Sequence, residues 1–280
     1  MDGAHGRFLW YELMTTDVGA AQAFYADVLG WGTRDASMPG SAYTLFTVDE
    51  TAVGGMVFLP EDARKTAATP QWLGYVGVDD VDAAADRVAR LGGAVHVPPT
   101  DVPNISRFAV VADPQKATLV LLKWLNYVPE QAADPRTPGR VGWHELLSSG
   151  WEKAFAFYTD LFGWQKADAA VDTVGTYQMF SAGGETLGGI FTKPPAVPIP
   201  FWLYYFTVGD MDAAARRVKA SGGRILEGPI VLPRGNRIAR CVDPQGAMFA
   251  LTAKRSENVI GYFEPSTSAH LSATRFFVRR

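Results

Sequence analysis

Two glutamates at matching places of a repeated pattern are the chain's first candidates for acid–base chemistry. Glu12 lies in the segment WYELM and Glu145 in WHELL, each two residues after a tryptophan. In a strand, residues two apart share a face, so Glu12 should lie beside Trp10 and Met14. A carboxylate among apolar side chains loses hydration, which raises its pKa and lets it donate or accept a proton near neutral pH. Glu12 and Glu145 are therefore candidate catalytic residues.

Two arginines offer these glutamates a structural role instead. Arg107 and Arg237 lie at matching places in the two halves of the chain. A guanidinium paired with each carboxylate would fix it at a seam between structural modules. Arginines of this kind otherwise lie in solvent or bridge a nearby aspartate. The sequence leaves both roles of the glutamates open.

The predicted strands and helices that must position these residues occur as a repeat along the chain. Trp10 in WYEL matches Trp143 in WHEL, and from Trp72 and Trp202 onward the halves align without a gap. Each half holds two segments with the order strand, helix, three strands. We predict duplication of a whole domain. The predicted bounds are residues 1–127 for domain 1, 128–140 for a linker, 141–255 for domain 2 and 256–280 for a C-terminal tail.

The first helix of each half has recognisable ends. Asp17 stands where an N-cap is wanted, and Gly30 suits a left-handed residue after the last turn. In the second half, Ser149 or Gly150 must take the capping position. The apolar residues of the first helix recur at helical spacing and predict a buried face: Ala21, Phe24, Tyr25 and Val28.

Charge and cysteine content exclude several classes of function. The 280 residues carry a formal net charge of -3 with a pI near 5.8 and no long basic block, so we expect neither a nucleic-acid nor a membrane partner. Cys241 is the only cysteine, which excludes an intrachain disulfide and a thiolate metal cluster. No secretory signal is recognisable, and no apolar stretch approaches the roughly 18 residues of a membrane span. We expect a cytoplasmic protein.

Several motifs carry a resemblance to a known superfamily. They are FYADVLGW and FYTDLFGW, VGGM and LGGI, and DPQKA and DPQGA. In these the chain resembles the vicinal oxygen chelate superfamily, which includes glyoxalase I, bleomycin-resistance proteins and extradiol dioxygenases. Within it the chain is most similar to the tandem-domain, glyoxalase-like antigens of actinobacteria. The resemblance implies an α+β fold in which four βαβββ modules pair into two glyoxalase-like domains, each shaped as a cup.

In this superfamily the cup floor holds a divalent metal, bound by His, Gln or Glu. The resemblance places the ligand positions at six residues here: Trp10, Leu73, Val120, Trp143, Leu203 and Ala250. None of these side chains offers the lone pair that a metal ion needs. His144 is one residue from Trp143 and should face the other side of its strand. We predict no bound metal and no cofactor.

The same geometry predicts which side chains line the cups. The predicted ligand-binding residues are Trp10, Met14, Tyr43, Leu73, Tyr75 and Val120 in the first cup, and Trp143, Leu147, Tyr177, Leu203, Tyr205 and Ala250 in the second. Core packing explains such aromatic and apolar residues as readily as ligand binding does. Trp72 and Trp202, one step out of register, should pack beneath the helices.

Three functions follow. The first is a metal-free protein of the resistance or sequestration type, which binds a small apolar or aromatic organic molecule in one or both cups. The second is a metal-independent lyase, isomerase or cyclase, in which Glu12 or Glu145 moves a proton. The third is a glyoxalase-type or dioxygenase-type metalloenzyme with atypical ligands. The packing of two similar domains is compatible with a monomer or a homodimer.

Overall fold

A computed structural model describes most of the chain. The described residues are 4–61, 65, 68–126, 134–172, 175–233 and 235–254. The predicted tail, 256–280, lies outside them, as do residues 128–133 of the predicted linker. The domain bounds themselves stay a prediction.

The first half contains two βαβββ modules. Their elements are β1 (Phe8–Thr15), α1 (Val18–Leu29), β2 (Gly32–Asp35), β3 (Thr44–Val48), β4 (Thr51–Phe58), β5 (Gln71–Gly77), α2 (Val81–Arg90), β6 (Ala94–Val102), β7 (Ser106–Ala112) and β8 (Thr118–Trp124). They form one eight-stranded sheet in the order β2-β3-β4-β1-β5-β8-β7-β6. The antiparallel pair β1 and β5 joins the two modules at the centre of the sheet.

The second half repeats this plan. Its elements are β9 (Val141–Ser148), α3 (Trp151–Phe162), β10 (Gln165–Asp172), β11 (Gly175–Ala182), β12 (Glu185–Thr192), β13 (Phe201–Thr207), α4 (Met211–Ala220), β14 (Arg224–Val231), β15 (Arg237–Val242) and β16 (Met248–Ala253). The sheet order is β10-β11-β12-β9-β13-β16-β15-β14. The predicted α+β fold of two tandem glyoxalase-like domains is confirmed.

Strand alternation gives each sheet two different faces. One face of both sheets packs with the four helices in a single apolar core that includes Trp72 and Trp202, as the spacing predicts. The other face of each sheet forms its own apolar cluster, which we call cup 1 in domain 1 and cup 2 in domain 2. The cups therefore lie away from the core that the domains share.

Reciprocal hydrogen bonds join the domains through this core. The Tyr25 hydroxyl donates to Asp243 at 3.1 Å, and the Tyr158 hydroxyl donates to Asp113 at 3.0 Å. Each bond links a tyrosine of the repeated Phe-Tyr pair in one domain to the Asp-Pro turn of the other. The repeated motifs thus have a structural role in joining the two halves.

The helix ends follow the sequence with one difference. The Asp17 side chain accepts from the Ala20 amide, and Gly30 has a φ of 74°. Gly150 is the N-cap of α3 but makes no side-chain cap. The Gln115 Oε1 of domain 1 instead accepts from the Gly150 amide at 3.1 Å. A residue from the other domain therefore caps this helix, which local spacing does not predict.

None of the described helices has both the length and the apolar character that crossing a bilayer requires.

Candidate functional site

Cup 1 holds a glutamate surrounded by aromatic hydroxyl groups. Trp10, Glu12 and Met14 alternate along β1, and all three are half-buried. The phenols of Tyr43 and Tyr75 both hydrogen-bond to the Glu12 carboxylate. The Trp10 indole N–H donates to the Tyr43 hydroxyl at 3.0 Å. Cup 1 therefore contains a connected polar group on an otherwise apolar floor.

A glycine makes room for this arrangement. Gly55 lies beside Glu12 in the parallel pairing of β4 with β1. A β-carbon at Gly55 would lie 1.9 Å from the Tyr43 hydroxyl oxygen, far inside contact distance. The second glycine of the VGGM motif thus allows the Tyr43 side chain to cross the neighbouring strand toward the carboxylate.

Burial controls the ionisation of these groups. It raises the pKa of Glu12, and the hydrogen bonds from Tyr43 and Tyr75 act in the opposite direction. Burial, together with the nearby negative charge of Glu12, also raises the pKa of both phenols well above the usual value. Among the residues that the structure describes, no lysine or arginine forms an ion pair with Glu12. The Glu12 carboxylate is therefore desolvated, and no positive charge of the described residues is paired with it.

The other described residues of the cup 1 cluster are apolar. Phe108 and Val110 of β7 pack into the same cluster as the floor residues. The rings of Trp10 and Trp124 meet edge to face, with their centroids 6.2 Å apart. The cluster's floor residues are Leu73, Tyr75, Val120 and Leu122. A planar or hydrocarbon group placed here would contact carbon on most sides.

Cup 2 has the same types of side chain at matching positions, but an arginine lies beside its glutamate. Glu145 is only 3 % exposed and accepts a hydrogen bond from the Tyr205 hydroxyl at 2.8 Å. Arg240 donates to Glu145 at 2.9 Å, to the Tyr205 hydroxyl at 3.0 Å and also to Glu227. Burial alone would lower the pKa of Arg240, but the charges of Glu145 and Glu227 raise it well above its usual range. A buried ion-pair network therefore neutralises the carboxylate of cup 2.

A connecting segment also packs into cup 2. Val197, from the connection between β12 and β13, is 2 % exposed and packs into the apolar cluster of this cup. The Lys193 ammonium donates to the Val197 carbonyl and closes this connection on itself. Leu147, Leu203 and Ala250 beneath it are fully buried. Trp143 donates to the Tyr177 hydroxyl at 2.8 Å, as Trp10 does to Tyr43 in cup 1.

The arginines expected to pair with the glutamates do not do so. Arg107 pairs with Asp82 and Asp101, and Arg237 pairs with Asp212. Both arginines are one residue out of register with the cup face of their strand, so they point toward the helices. Sequence reasoning missed Arg240. The bulged pairing of β14 with β15 places Arg240 opposite Glu227, where domain 1 has Val110 opposite Val97, and local sequence spacing does not predict this contact.

The residues present do not fit the divalent metal that the fold family implies. The six positions at which the family resemblance places metal ligands lie in the cups. They are Trp10, Leu73 and Val120 in cup 1 and Trp143, Leu203 and Ala250 in cup 2. None of these side chains offers a metal-binding lone pair. Within the described ranges, no three His, Cys, Asp or Glu side chains are grouped closely enough to hold a metal ion.

His144 faces away from its cup, as predicted. Its Nδ1 lies 2.6 Å from the Leu187 carbonyl oxygen, and its Nε2 lies 2.6 Å from the Tyr11 hydroxyl. The carbonyl can only accept, so Nδ1 carries the proton and Nε2 accepts from Tyr11. Its ring stacks on Phe8 with a centroid distance of 3.9 Å. His144 is therefore part of the junction between the domains.

The paired βαβββ modules, joined into two eight-stranded sheets, define the class of protein. A sequence profile of the Glyoxalase/Bleomycin resistance protein/Dioxygenase superfamily matches residues 7–121 and 140–251, and the chain belongs to this superfamily. The family resemblance expected from the motifs is confirmed.

Two relatives cover nearly the whole chain. CFP32 of Mycobacterium tuberculosis, provisionally named a glyoxylase, is 34% identical over 245 residues, which are 86% of this chain and 92% of CFP32. The anthracycline biosynthesis protein DnrV of Streptomyces peucetius is 33% identical over 270 residues, 90% of this chain and 94% of DnrV.

Solved structures share the fold. The Mn(II)-bound glyoxalase from Novosphingobium aromaticivorans superposes with a TM-score of 0.61 at 19% identity, over 90% of this chain and 83% of that one. An extradiol ring-cleaving dioxygenase from B. fuscum gives a TM-score of 0.62 at 16% identity, over 91% of this chain and 74% of that one. At these identities the likeness concerns the fold alone.

Proposed function

We propose that this protein binds a small apolar or aromatic organic molecule in cup 1, without a bound metal. The observation that carries the proposal is the composition of cup 1. Its half-buried Trp10, Met14 and Tyr43 border a floor of hydrocarbon, with one carboxylate and two phenols to orient a ligand. Cup 2 is a structural counterpart, because Val197 and the Arg240 network occupy its interior.

The relatives support an aromatic ligand. DnrV is named for anthracycline biosynthesis. Anthracyclines contain flat, fused ring systems, and aromatic side chains such as Trp10 and Trp124 favour contact with such rings. The name of CFP32 instead suggests glyoxylase chemistry. For such a reaction, the described part of cup 1 offers one carboxylate and two phenols as reacting groups.

Fluorine NMR can test which cup binds. We would label the protein with 5-fluorotryptophan, assign the signals of Trp10 and Trp143 with W10F and W143F variants, and titrate with 1-naphthol. We expect saturable shifts of the Trp10 signal and an unchanged Trp143 signal. Saturable shifts at Trp143 alone would contradict the choice of cup 1. Absence of a saturable change at Trp10 across a panel of neutral aromatic compounds would remove the proposal.

A second candidate function is proton transfer by Glu12. Burial raises the pKa of this carboxyl, and no arginine of the described residues pairs with Glu12 as Arg240 pairs with Glu145. Glu12 could take a proton from the carbon next to a ligand carbonyl while the electron pair moves to the carbonyl oxygen. A phenol from Tyr43 or Tyr75 would stabilise that oxygen, and return of the proton to another carbon of the resulting enolate would complete an isomerisation.

Deuterium exchange tests this step directly. We would follow exchange at the carbon next to the carbonyl of 2-tetralone in D₂O with EDTA present. We expect exchange above the uncatalysed rate with the wild-type protein, loss of about 100-fold in E12Q, and retention in E145Q. Undiminished exchange in folded E12Q would remove Glu12 from this role.

Two expectations remain proposals. We propose that the protein works in the cytoplasm, and that it is a monomer or a homodimer.

A further inference from the structure

Pseudo-symmetry between the cups shows where a positive charge is missing. In cup 2, the Arg240 guanidinium lies against both Glu145 and the Tyr205 hydroxyl. The matching residue of cup 1 is Val110, which pairs with Val120 as Arg240 pairs with Ala250. The carboxylate and its phenol partner are thus kept in cup 1, while the cation beside them is not.

The missing cation is energetically important. A carboxylate removed from water is costly unless a positive charge or several hydrogen bonds stabilise it. Two phenol donors support Glu12, and the described part of cup 1 adds no charged group. A cation brought by a ligand would therefore gain more from Glu12 than from Glu145, whose charge Arg240 already neutralises.

The aromatic side chains favour the same kind of charge. The phenols of Tyr43 and Tyr75 hydrogen-bond to Glu12, and Trp10 donates to the Tyr43 hydroxyl. The ring of Trp124 meets that of Trp10 edge to face. The faces of aromatic rings attract organic cations, most strongly where water is excluded. A substituted ammonium carries its charge on a shell of hydrocarbon, so it also suits the apolar wall at Phe108.

We propose that the ligand of cup 1 carries an ammonium group, which takes the place beside Glu12 that the Arg240 guanidinium occupies beside Glu145. This inference rests on the proposed function of cup 1 and specifies its ligand as an aromatic or apolar amine. Anionic ligands would be excluded by the same carboxylate.

The proposal predicts that the affinity of cup 1 for an ammonium ligand depends on pH. The titratable groups facing Glu12 are Tyr43 from the segment before β3 and Tyr75 from β5, while Gly55 of β4 presents no side chain. Both phenols stay protonated at neutral pH, since burial raises their pKa. An ammonium ligand needs ionised Glu12, so its affinity should rise with pH through the raised pKa of Glu12 and then level off.

A pair of isosteric probes tests the charge. Phenyltrimethylammonium and tert-butylbenzene have the same shape and differ by one positive charge. We would measure both affinities by the fluorine signal of Trp10. We expect the ammonium to bind about tenfold more tightly in the wild-type protein. That ratio should fall to about one in E12Q and stay unchanged in E185Q, which removes an exposed carboxylate elsewhere.

A second variant adds the missing charge. In V110R a guanidinium would occupy the proposed ammonium position, and binding of phenyltrimethylammonium should fall at least tenfold, about 1.4 kcal/mol. Equal affinities of the two probes in the wild-type protein, or an unchanged ratio in E12Q, would overturn the ammonium proposal. The function proposed for cup 1 would survive that result, because tert-butylbenzene would still shift the Trp10 signal. Failure of both probes to shift it would count against both proposals.

Discussion

Cup 1 and cup 2 descend from one repeated plan but differ in how their glutamates are surrounded. Both place a tryptophan, a glutamate and two tyrosines at matching positions. In cup 2, Arg240 and Glu227 complete a buried ion network. In cup 1, valines stand at both places, and the partners of Glu12 among the described residues are the phenols of Tyr43 and Tyr75. Two facing positions, Val97 and Val110 in domain 1 and Glu227 and Arg240 in domain 2, therefore account for the different surroundings of the two carboxylates.

The largest expected effect comes from removing the cation of cup 2. Arg240→Met would leave Glu145 and Glu227 close together in a buried site without their shared guanidinium. We expect a loss of about 3–5 kcal/mol in the free energy of unfolding, measured with urea at pH 7. The matched control is Arg237→Met, which breaks a more exposed pair with Asp212 and should cost below about 1 kcal/mol. Equal losses in the two variants would contradict a buried network.

A second prediction concerns the junction that holds the two cups together. Burial lowers the pKa of His144 to about 4. The folded state therefore binds this proton less readily than the unfolded state, and stability is lost as pH falls from about 6.5 to about 4. The loss from this residue should be roughly 3 kcal/mol.

His144→Asn tests the assignment by its slope with pH. This variant should be less stable at pH 7, because Tyr11 and Leu187 lose their partner. Between about pH 6.5 and about pH 4 its unfolding free energy should fall less steeply than that of the wild-type protein. His96→Asn, at an exposed position, should keep the wild-type slope. An unchanged slope in His144→Asn would show that another group titrates there.

The third prediction separates the cups by their glycines. A β-carbon at Gly55 would collide with the Tyr43 hydroxyl, and one at Gly189 would lie 2.1 Å from the Tyr177 ring. Gly55→Ala and Gly189→Ala should each cost about 1–3 kcal/mol in stability. Only Gly55→Ala should also weaken binding of 1-naphthol, because it moves Tyr43 away from Glu12. Equal binding losses in both variants would contradict the assignment of the ligand to cup 1.

Much of the fold and of the cup lining follows from strand periodicity. The alternation of Trp10 and Glu12 with Leu13 separates cup from core, and the same rule turns His144 toward the domain junction. The ion pair of Arg240 with Glu227 depends on the register between β14 and β15. This pairing is bulged, so the sequence does not predict that the two residues lie opposite each other. The capping of α3 by Gln115 depends on domain packing and has no local signal. That the residues lining the cups bind ligand stays a prediction.

The two cups differ most in the charge beside their glutamates: Arg240 pairs with Glu145, whereas no positive charge of the described residues pairs with Glu12. The most direct test is the free energy of unfolding of E12Q and E145Q, measured side by side at pH 7. E12Q should be more stable than the wild-type protein by about 1 kcal/mol, because the raised pKa of Glu12 makes its ionised form unfavourable in the folded state above that pKa. E145Q should be less stable by about 2–3 kcal/mol, because Arg240 loses a buried partner. Shifts of the same sign and similar size in the two variants would contradict the account.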